Sequence, residues 1–427
     1  MTESVEPSLD IEGLINEGRN VRESTRSRRS AIALGISAAF TIGWVIYVTA
    51  SGQWGRVGDH WASAVTMIFG SFVAGSTPQG GGAVAFPVFT KVLEVPADVA
   101  RSFSLSIQTV GMTAASLSIL INRRRIVPKG IAVAGPAAII GFVLGYLLII
   151  KTGLPFGPSR LPGPYVKVMF TIIVAAMAFV TYLGYRVHLL ERRDELPPLN
   201  ARIVGLMATA GFAGGVASVL VGSGADVFVY LAFVVLIGVS PRTGVASSVL
   251  IMTSVSIVGF FLFGVFDGHL STQVDQAGEV VQRVADRAVG VVDGAVAFDA
   301  TGGLDAGRFD LFGLWLAAAP VVAWGAPLGS AVSSRVTDRQ LVKFVILLAA
   351  VETLSTIVFL DELRSDAVLV VFGVVATAIA FGGLALLHRY RRRILGLPAL
   401  DPAVSVTRSD VDMGPKLDEQ LRKRGPS

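Results

Sequence analysis

Apolar runs of about 20 residues with few or no charges, the length of helix needed to cross a lipid hydrocarbon core, recur along this chain. They cover residues 31–50, 99–121, 130–150, 165–187, 243–266, 311–333, 341–360 and 367–387, with two longer apolar stretches at 61–97 and 201–240. Backbone immersed in lipid must satisfy its own amides and carbonyls, so such runs fold as helices. The chain is therefore expected to be an all-α polytopic membrane protein. The balance of 52% hydrophobic against 16% charged residues leaves no room for an ordinary soluble domain. The net charge of +5 sits on arginines that flank the runs, so it orients the chain and gives no reason to expect a nucleic-acid partner. Cysteine is absent, which removes disulfides, thiolate metal sites and cysteine nucleophiles. No cofactor motif is present.

The arginines set direction. Arg19, Arg22, Arg26, Arg28 and Arg29 precede the first run, Arg123, Arg124, Arg125 and Lys129 follow the run at 99–121, Arg186, Arg192 and Arg193 follow 165–187, and Arg389, Arg391, Arg392 and Arg393 close the last. Basic flanks stay in the cytoplasm. A cleavable leader is the competing reading of the first run, with Val48-Thr49-Ala50 as cleavage site. Its polar lead-in is too long and its apolar run too full for that, so it is expected to be retained, with both termini cytoplasmic. The organisation that follows has a cytoplasmic tail over 1–30, a first span and outer loop over 31–60, and a membrane repeat over 61–190. A second repeat over 201–360 carries an acidic outer loop at 267–310, expected to be solvated with one short helix. A last span over 361–388 and a cytoplasmic tail over 389–427 complete the chain.

Two apolar stretches do not read as single helices. Pro78-Gln79-Gly80-Gly81-Gly82 interrupts the first and Gly222-Ser223-Gly224-Ala225-Asp226 the second. Each glycine costs a helix about 1 kcal/mol against alanine, and Pro78 removes a donor and clashes with the preceding turn. Broken backbone at membrane depth survives where protein buries it or where it lines a watery cavity. A half-helix starting after each break would aim unpaired N–H groups at such a cavity, which suits an anion. Glycines that merely let helices pack closely are the plainer alternative. Counting crossings between the basic clusters makes 61–97 a hairpin entering from outside and 201–240 a hairpin entering from inside, the arrangement of inverted-topology repeats.

Internal similarity agrees. A shift of 144 positions lays Gly80 on Gly224, Gly70 on Gly214 and Ser104 on Ser248, and a shift of 184 lays Pro136, Gly141 and Gly145 on Pro320, Gly325 and Gly329. Val166-Lys167 falls on Val342-Lys343 at a shift of 176. The changes of offset fall where loops differ in length. The fold expected is thus two inverted-topology repeats, each a broken-helix hairpin followed by three spans, with one extra span at each end.

The segment Gly80-Gly81-Gly82-Ala83-Val84-Ala85-Phe86-Pro87, three glycines with a proline five positions on, resembles the first-repeat motif of the TauE/SafE sulfite exporter family. The stretch from Ala100 to Leu105, with Ser102 and Ser104, is similar to the helix start that follows the hairpin in that family. The resemblance covers about residues 61–360. It implies a transporter of small inorganic or organic sulfur anions, commonly outward, across the cytoplasmic membrane. The sequence departs from the pattern at Pro78, where the family often has glycine, and in the second repeat, which has no matching proline.

The candidate substrate-binding residues are Gln79, Gly80, Gly81 and Gly82 in the first break, Gly222, Ser223 and Gly224 in the second, and Ser104, Gln108 and Ser248 on the spans that follow. Gln79 and Gln108 suit donation to an oxyanion or quiet bonding across helices, and serines in membrane helices commonly bond back to their own turn. Asp226 is a candidate for proton coupling, since a carboxylate at membrane depth is costly unless it takes a proton or finds a partner. Its alternative role is to cap the second half-helix. Lys91, Arg101 and Arg242, near the hairpin ends, either draw anions in or snorkel to the interface. Glu352 lies mid-span and calls for a cation not identifiable from sequence. The partners expected are a small anion, membrane lipids and a coupling proton; association into a homo-oligomer is open at this level. The function expected is a secondary anion transporter working by alternating access. Its alternatives are a scaffold or sensor subunit that uses the acidic loop, and a membrane-embedded enzyme. The enzyme is weakened by four histidines at span ends or in loops, without metal-ligand spacing.

Overall fold

The structure, a computed structural model, describes residues 11–93, 95, 97–152, 163–187, 195–267, 270, 288–292, 295–298, 310–360 and 362–395. It is helical almost throughout. Helix α1 (Ile11–Ala50) carries the polar lead-in and the first apolar run as one piece, so the expected tail at 1–30 is helical from Ile11 onward. After the short α2 (Trp54–Asp59), α3 (Trp61–Ser76) runs to the first break, and α4 (Gly82–Pro87) returns from it with a π-helical continuation over Val88–Val92. Three helices follow: α5 (Ala97–Ile121), α6 (Pro128–Gly145, extended over Tyr146–Lys151) and α7 (Gly163–Val187).

The second half repeats the order. Helix α8 (Ala201–Val221) ends at the second break, and α9 (Ala225–Tyr230, extended over Leu231–Ile237) returns. Then come α10 (Pro241–Gly259, extended over Phe260–Phe266), α11 (Leu311–Ser333) and α12 (Asp338–Phe359), with α13 (Glu362–Ser365) and α14 (Ala367–Leu395) closing the described chain. Among the described residues eight helices are long and apolar enough to cross a membrane, which makes this a multi-pass membrane protein. In the acidic insert residues 288–292 and 295–298 pair as an antiparallel hairpin, β1 (Ala288–Val292) on β2 (Ala295–Phe298), and the short helix expected in this insert lies outside the described residues. The ends of the insert are pinned. Asp267 accepts from Tyr146 and Lys151, and Asp310 accepts from Arg56 while capping α11 through the Gly313 amide at 3.0 Å.

Both breaks are hairpins rather than kinks. Gly81 lies beside Ala74 of α3, and a side chain on Gly214 of α8 would meet the Ala225 backbone at 2.7 Å, so each return arm folds back on the helix it came from. The hairpins then pack across the halves: α3 lies most extensively on α11, and α8 on α6. These crossings are backbone to backbone. Gly75 abuts the Ala326 carbonyl, Gly215 the Ala138 carbonyl, Gly329 the Phe72 carbonyl and Gly141 the Phe212 carbonyl. Residues that correspond under the internal shifts make corresponding contacts, since Gly329 sits on Phe72 and Gly145 on Val216. Small residues permit this because helices in lipid associate through close packing, with no water to expel.

Each return arm is embedded in its own apolar cluster. Phe86 and Phe89 join Phe103 and Phe170 around the first, and Tyr230 and Phe233 join Phe142 and Met252 around the second. The end spans are peripheral. Only 17% of the apolar window of α1 and 6% of that of α14 is buried, against 61% for Val99–Ile121, so both present their apolar surface to lipid. The packing yields a direct check. Gly215→Leu must push the α6 backbone away, at a cost of about 1–3 kcal/mol or more. Gly205→Leu, on the same helix with open space around it, should change nothing. Melting of the two purified variants in detergent should separate them by several degrees.

Candidate functional site

The first tip follows from its residue types. Thr77 leaves the helix in extended conformation, and its hydroxyl donates back to the Val73 carbonyl at 3.0 Å. Pro78 has no amide to continue the ladder. Gly80 adopts φ of +65°, a left-handed conformation that side chains disfavour by about 1–2 kcal/mol. Gly81 restarts the helix, its carbonyl accepting from Val84 at 3.2 Å and Ala85 at 2.8 Å, and Gly82 opens α4.

The second tip uses two left-handed or strained glycines. Gly222, at φ of +79°, closes α8 with its amide on the Ser218 carbonyl at 2.9 Å, and Gly224, at φ of +152°, is the N-cap of α9. The expected free amides are not free. Asp226 Oδ1 accepts from Gly224 at 3.3 Å and Val227 at 3.0 Å, and the Ser218 hydroxyl accepts from Ala225 at 2.9 Å. Asp226 therefore caps α9, though from inside its first turn rather than from the N-cap position.

The two tips meet. A Cβ on Gly80 would lie 2.7 Å from Asp226 Oδ2, and one on Gly222 would lie 2.9 Å from the Arg101 carbonyl and from Ser104 Cβ. Ser104 Oγ donates to the Gly222 carbonyl at 3.1 Å, and Gln108 Nε2 donates to the same carbonyl at 3.0 Å and to Ser104 Oγ at 2.7 Å. Gln79 Nε2 donates to the Val345 carbonyl of α12 at 3.2 Å. Helices α5, α8, α9 and α12 and both tips thus converge on one point. Ser248 stays apart, its hydroxyl bonded to Val245 of its own helix at 3.1 Å.

The expected watery cavity does not reach this point: Gln79, Ser223 and Asp226 are buried to 1% exposure or less. A cleft of about 370 Å³ instead opens on the face carrying the arginines and is lined by Arg124, Arg125, Arg242, Thr243, Ser333 and Asp338. Its lining includes Gly75, where α3 meets α11. Arg124 hydrogen-bonds Ser330, and Arg242 pairs with Asp338 at 3.0 Å.

Sequence reasoning missed the fate of Lys91. Its ammonium is buried, 2.9 Å from Glu352 Oε1, 3.0 Å from Ser355 Oγ and 2.7 Å from Thr356 Oγ1, so it neither snorkels nor draws anions in. Thr171 of α7 donates to Glu352 at 2.8 Å. The first return arm is thereby tied to α7 and α12. The only signal was that Glu352 needed a cation. Arg391 is the counterpart at the other hairpin, donating to the carbonyls of Val235 and Leu236 at the end of the α9 extension. Breaking a buried pair from one side leaves an uncompensated charge and costs about 3–5 kcal/mol. Lys91→Met or Glu352→Met alone should therefore destabilise the protein strongly, and the double variant should recover most of the loss in a melting cycle.

Comparison with curated proteins and with solved structures finds no match. Residues 62–356, from the start of α3 almost to the end of α12, match the family model of the sulfite exporter TauE/SafE. The chain belongs to the TauE/SafE sulfite exporter family, a family of membrane transporters and not of enzymes.

Proposed function

We propose that this chain is a secondary transporter that exports a small sulfur oxyanion or organosulfonate across the cytoplasmic membrane by alternating access of two inverted repeats, 61–190 and 201–360. The meeting of the two hairpin tips, with Gly80 against Asp226, carries this reading. Each tip comes from one half and packs on a helix of the other, so movement of either half past the other must open or close the junction between them. The packing is of the kind that slides, backbone on backbone through glycine, without side chains to unlock.

The basic cleft supports the direction. Its arginines lie on the face that the basic flanks assign to the cytoplasm, and they raise the local concentration of an anion before it reaches the tips. With Gln79, Ser223 and Asp226 enclosed by protein, this conformer corresponds to a site closed to the cleft. The first tip, with Gln79, Gly80, Gly81 and Gly82, is the better anion cradle, because the amides of the second are engaged by Asp226 and Ser218. Ser104 and Gln108 fix the second tip's position, and Ser248 supports α10. Asp226 couples transport to a proton: neutralising its carboxylate lets the anion approach and removes the charge from Oδ2.

Counterflow in proteoliposomes tests this, with sulfite, sulfate, sulfonates and simple carboxylates compared under set proton gradients. Sulfur anions should exchange and carboxylates should not. Gly80→Val should abolish exchange, and Asp226→Asn should retain some exchange while losing its response to the gradient. Failure of every sulfur anion to exchange in folded protein overturns the reading. Loss of function on deleting residues 270–308, with Gly80→Val tolerated, would favour a scaffold instead.

A further inference from the structure

The buried side-chain atoms left without a partner on the two tips and on Gln108 are all oxygens. The Gln79 and Gln108 amides are each oriented by a backbone carbonyl, which accepts only from nitrogen: Val345 O takes Gln79 Nε2 at 3.2 Å and Gly222 O takes Gln108 Nε2 at 3.0 Å. Each Oε1 is therefore turned the other way and meets no donor, and the same holds for Asp226 Oδ2 and the Ser223 hydroxyl. All four side chains are buried to 2% exposure or less. Two of them face Gly80, since a Cβ there would be 2.7 Å from Asp226 Oδ2 and 3.8 Å from Gln108 Oε1; Gln79 and Ser223 stand next to Gly80 and Gly224 in the two tips.

Charge is uncompensated too. Among the described residues no ion pair reaches Asp226. The cations on the packed elements face elsewhere. Arg101 of α5 lays its guanidinium over the Phe263 ring, 5.0 Å from the centroid, and Lys91 of the first return arm is held by Glu352. Until the Asp226 charge is neutralised, a junction that offers a carboxylate oxygen and two amide oxygens repels an anion. Buried acceptors without donors are costly, and more so beside one another.

We propose that the tip junction binds a dehydrated monovalent cation of the Na⁺ class, held by Asp226 Oδ2, Gln79 Oε1, Gln108 Oε1 and Ser223 Oγ. A proton on Asp226 supplies one donor and leaves the other acceptors unserved, whereas a hard cation is shared by several oxygens at once. The single carboxylate matches one positive charge; divalent sites recruit more. Gln108 belongs to α5 of the first half and Asp226 to the second tip, so the ion holds the two halves together. An empty junction, with its carboxylate facing amide oxygens, favours separation. This rests on the transport reading for what the ion is for and puts the cation in place of the proton as the charge that neutralises Asp226; binding is measured without transport.

The test is melting of the purified full chain in detergent, in NaCl against choline chloride at equal ionic strength. A ligand that binds only the folded protein raises its melting temperature in proportion to the logarithm of occupancy. The expected result is a rise with Na⁺ that grows with concentration and is absent with choline. Ser223→Ala, the mildest change, should weaken the apparent Na⁺ affinity by up to about tenfold, and Asp226→Asn should remove the response. A rise that survives Asp226→Asn, or a stability that follows pH but ignores Na⁺, overturns the cation site. A flat Na⁺ response in protein that still exchanges sulfur anions sinks this proposal and leaves the transporter standing. Na⁺ binding without anion exchange does the reverse.

Discussion

Backbone that leaves the helix inside a bilayer finds no water to bond with, and the whole architecture answers that constraint. At the second break the answer is internal. Asp226 and Ser218 accept the amides that a helix start leaves open, while Ser104 and Gln108 donate to the Gly222 carbonyl at the end of α8. At the first break Thr77 turns back on Val73 and Gln79 reaches across to α12. Each tip is thus completed by residues of other helices, and neither could be folded alone in lipid. The cost of leaving such groups unpaired, about 1–3 kcal/mol each, is what forces two distant segments to one place.

Close approach is the second condition. The tips can meet only if their supporting arms come within backbone contact of helices in the opposite half, and glycine at Gly75, Gly215 and Gly329 makes that possible. Where larger side chains stand, they enclose the return arms in aromatic clusters. The contrast between slim crossings and filled cores separates the surfaces that meet backbone to backbone from those that hold an arm through side chains. Charged residues then mark the ends of the arms. Lys91 with Glu352 ties down one return arm, and Arg391 with two carbonyls ties down the other.

Arg391 also shows how a region outside the family match joins the machine. Most of helix α14 is left uncovered by the rest of the protein, but its C-terminal end is fastened to the second hairpin. Likewise α1, lipid-facing for most of its run, donates from Ser37 to Ala323 and from Trp44 to Leu316 of α11. The flanking helices are splints on the core rather than parts of it.

Much of this was legible in the chain itself. Apolar runs set the number and order of helices because lipid leaves a buried backbone few choices. Pro78 and the glycines at 80–82 and 222–224 placed both breaks, because those residues have conformational limits that no context removes. The internal shifts paired the halves. What the chain could not reveal was partnership at a distance. Nothing local predicts that Lys91 meets Glu352, 261 residues away, that Asp226 uses one oxygen as a cap and turns the other toward Gly80, or that the amides of the second tip are already engaged. Local chemistry decided where the helix must stop. Only packing decided what each loose end found, because a hydrogen bond or ion pair depends on which surfaces are brought together and not on the residue alone.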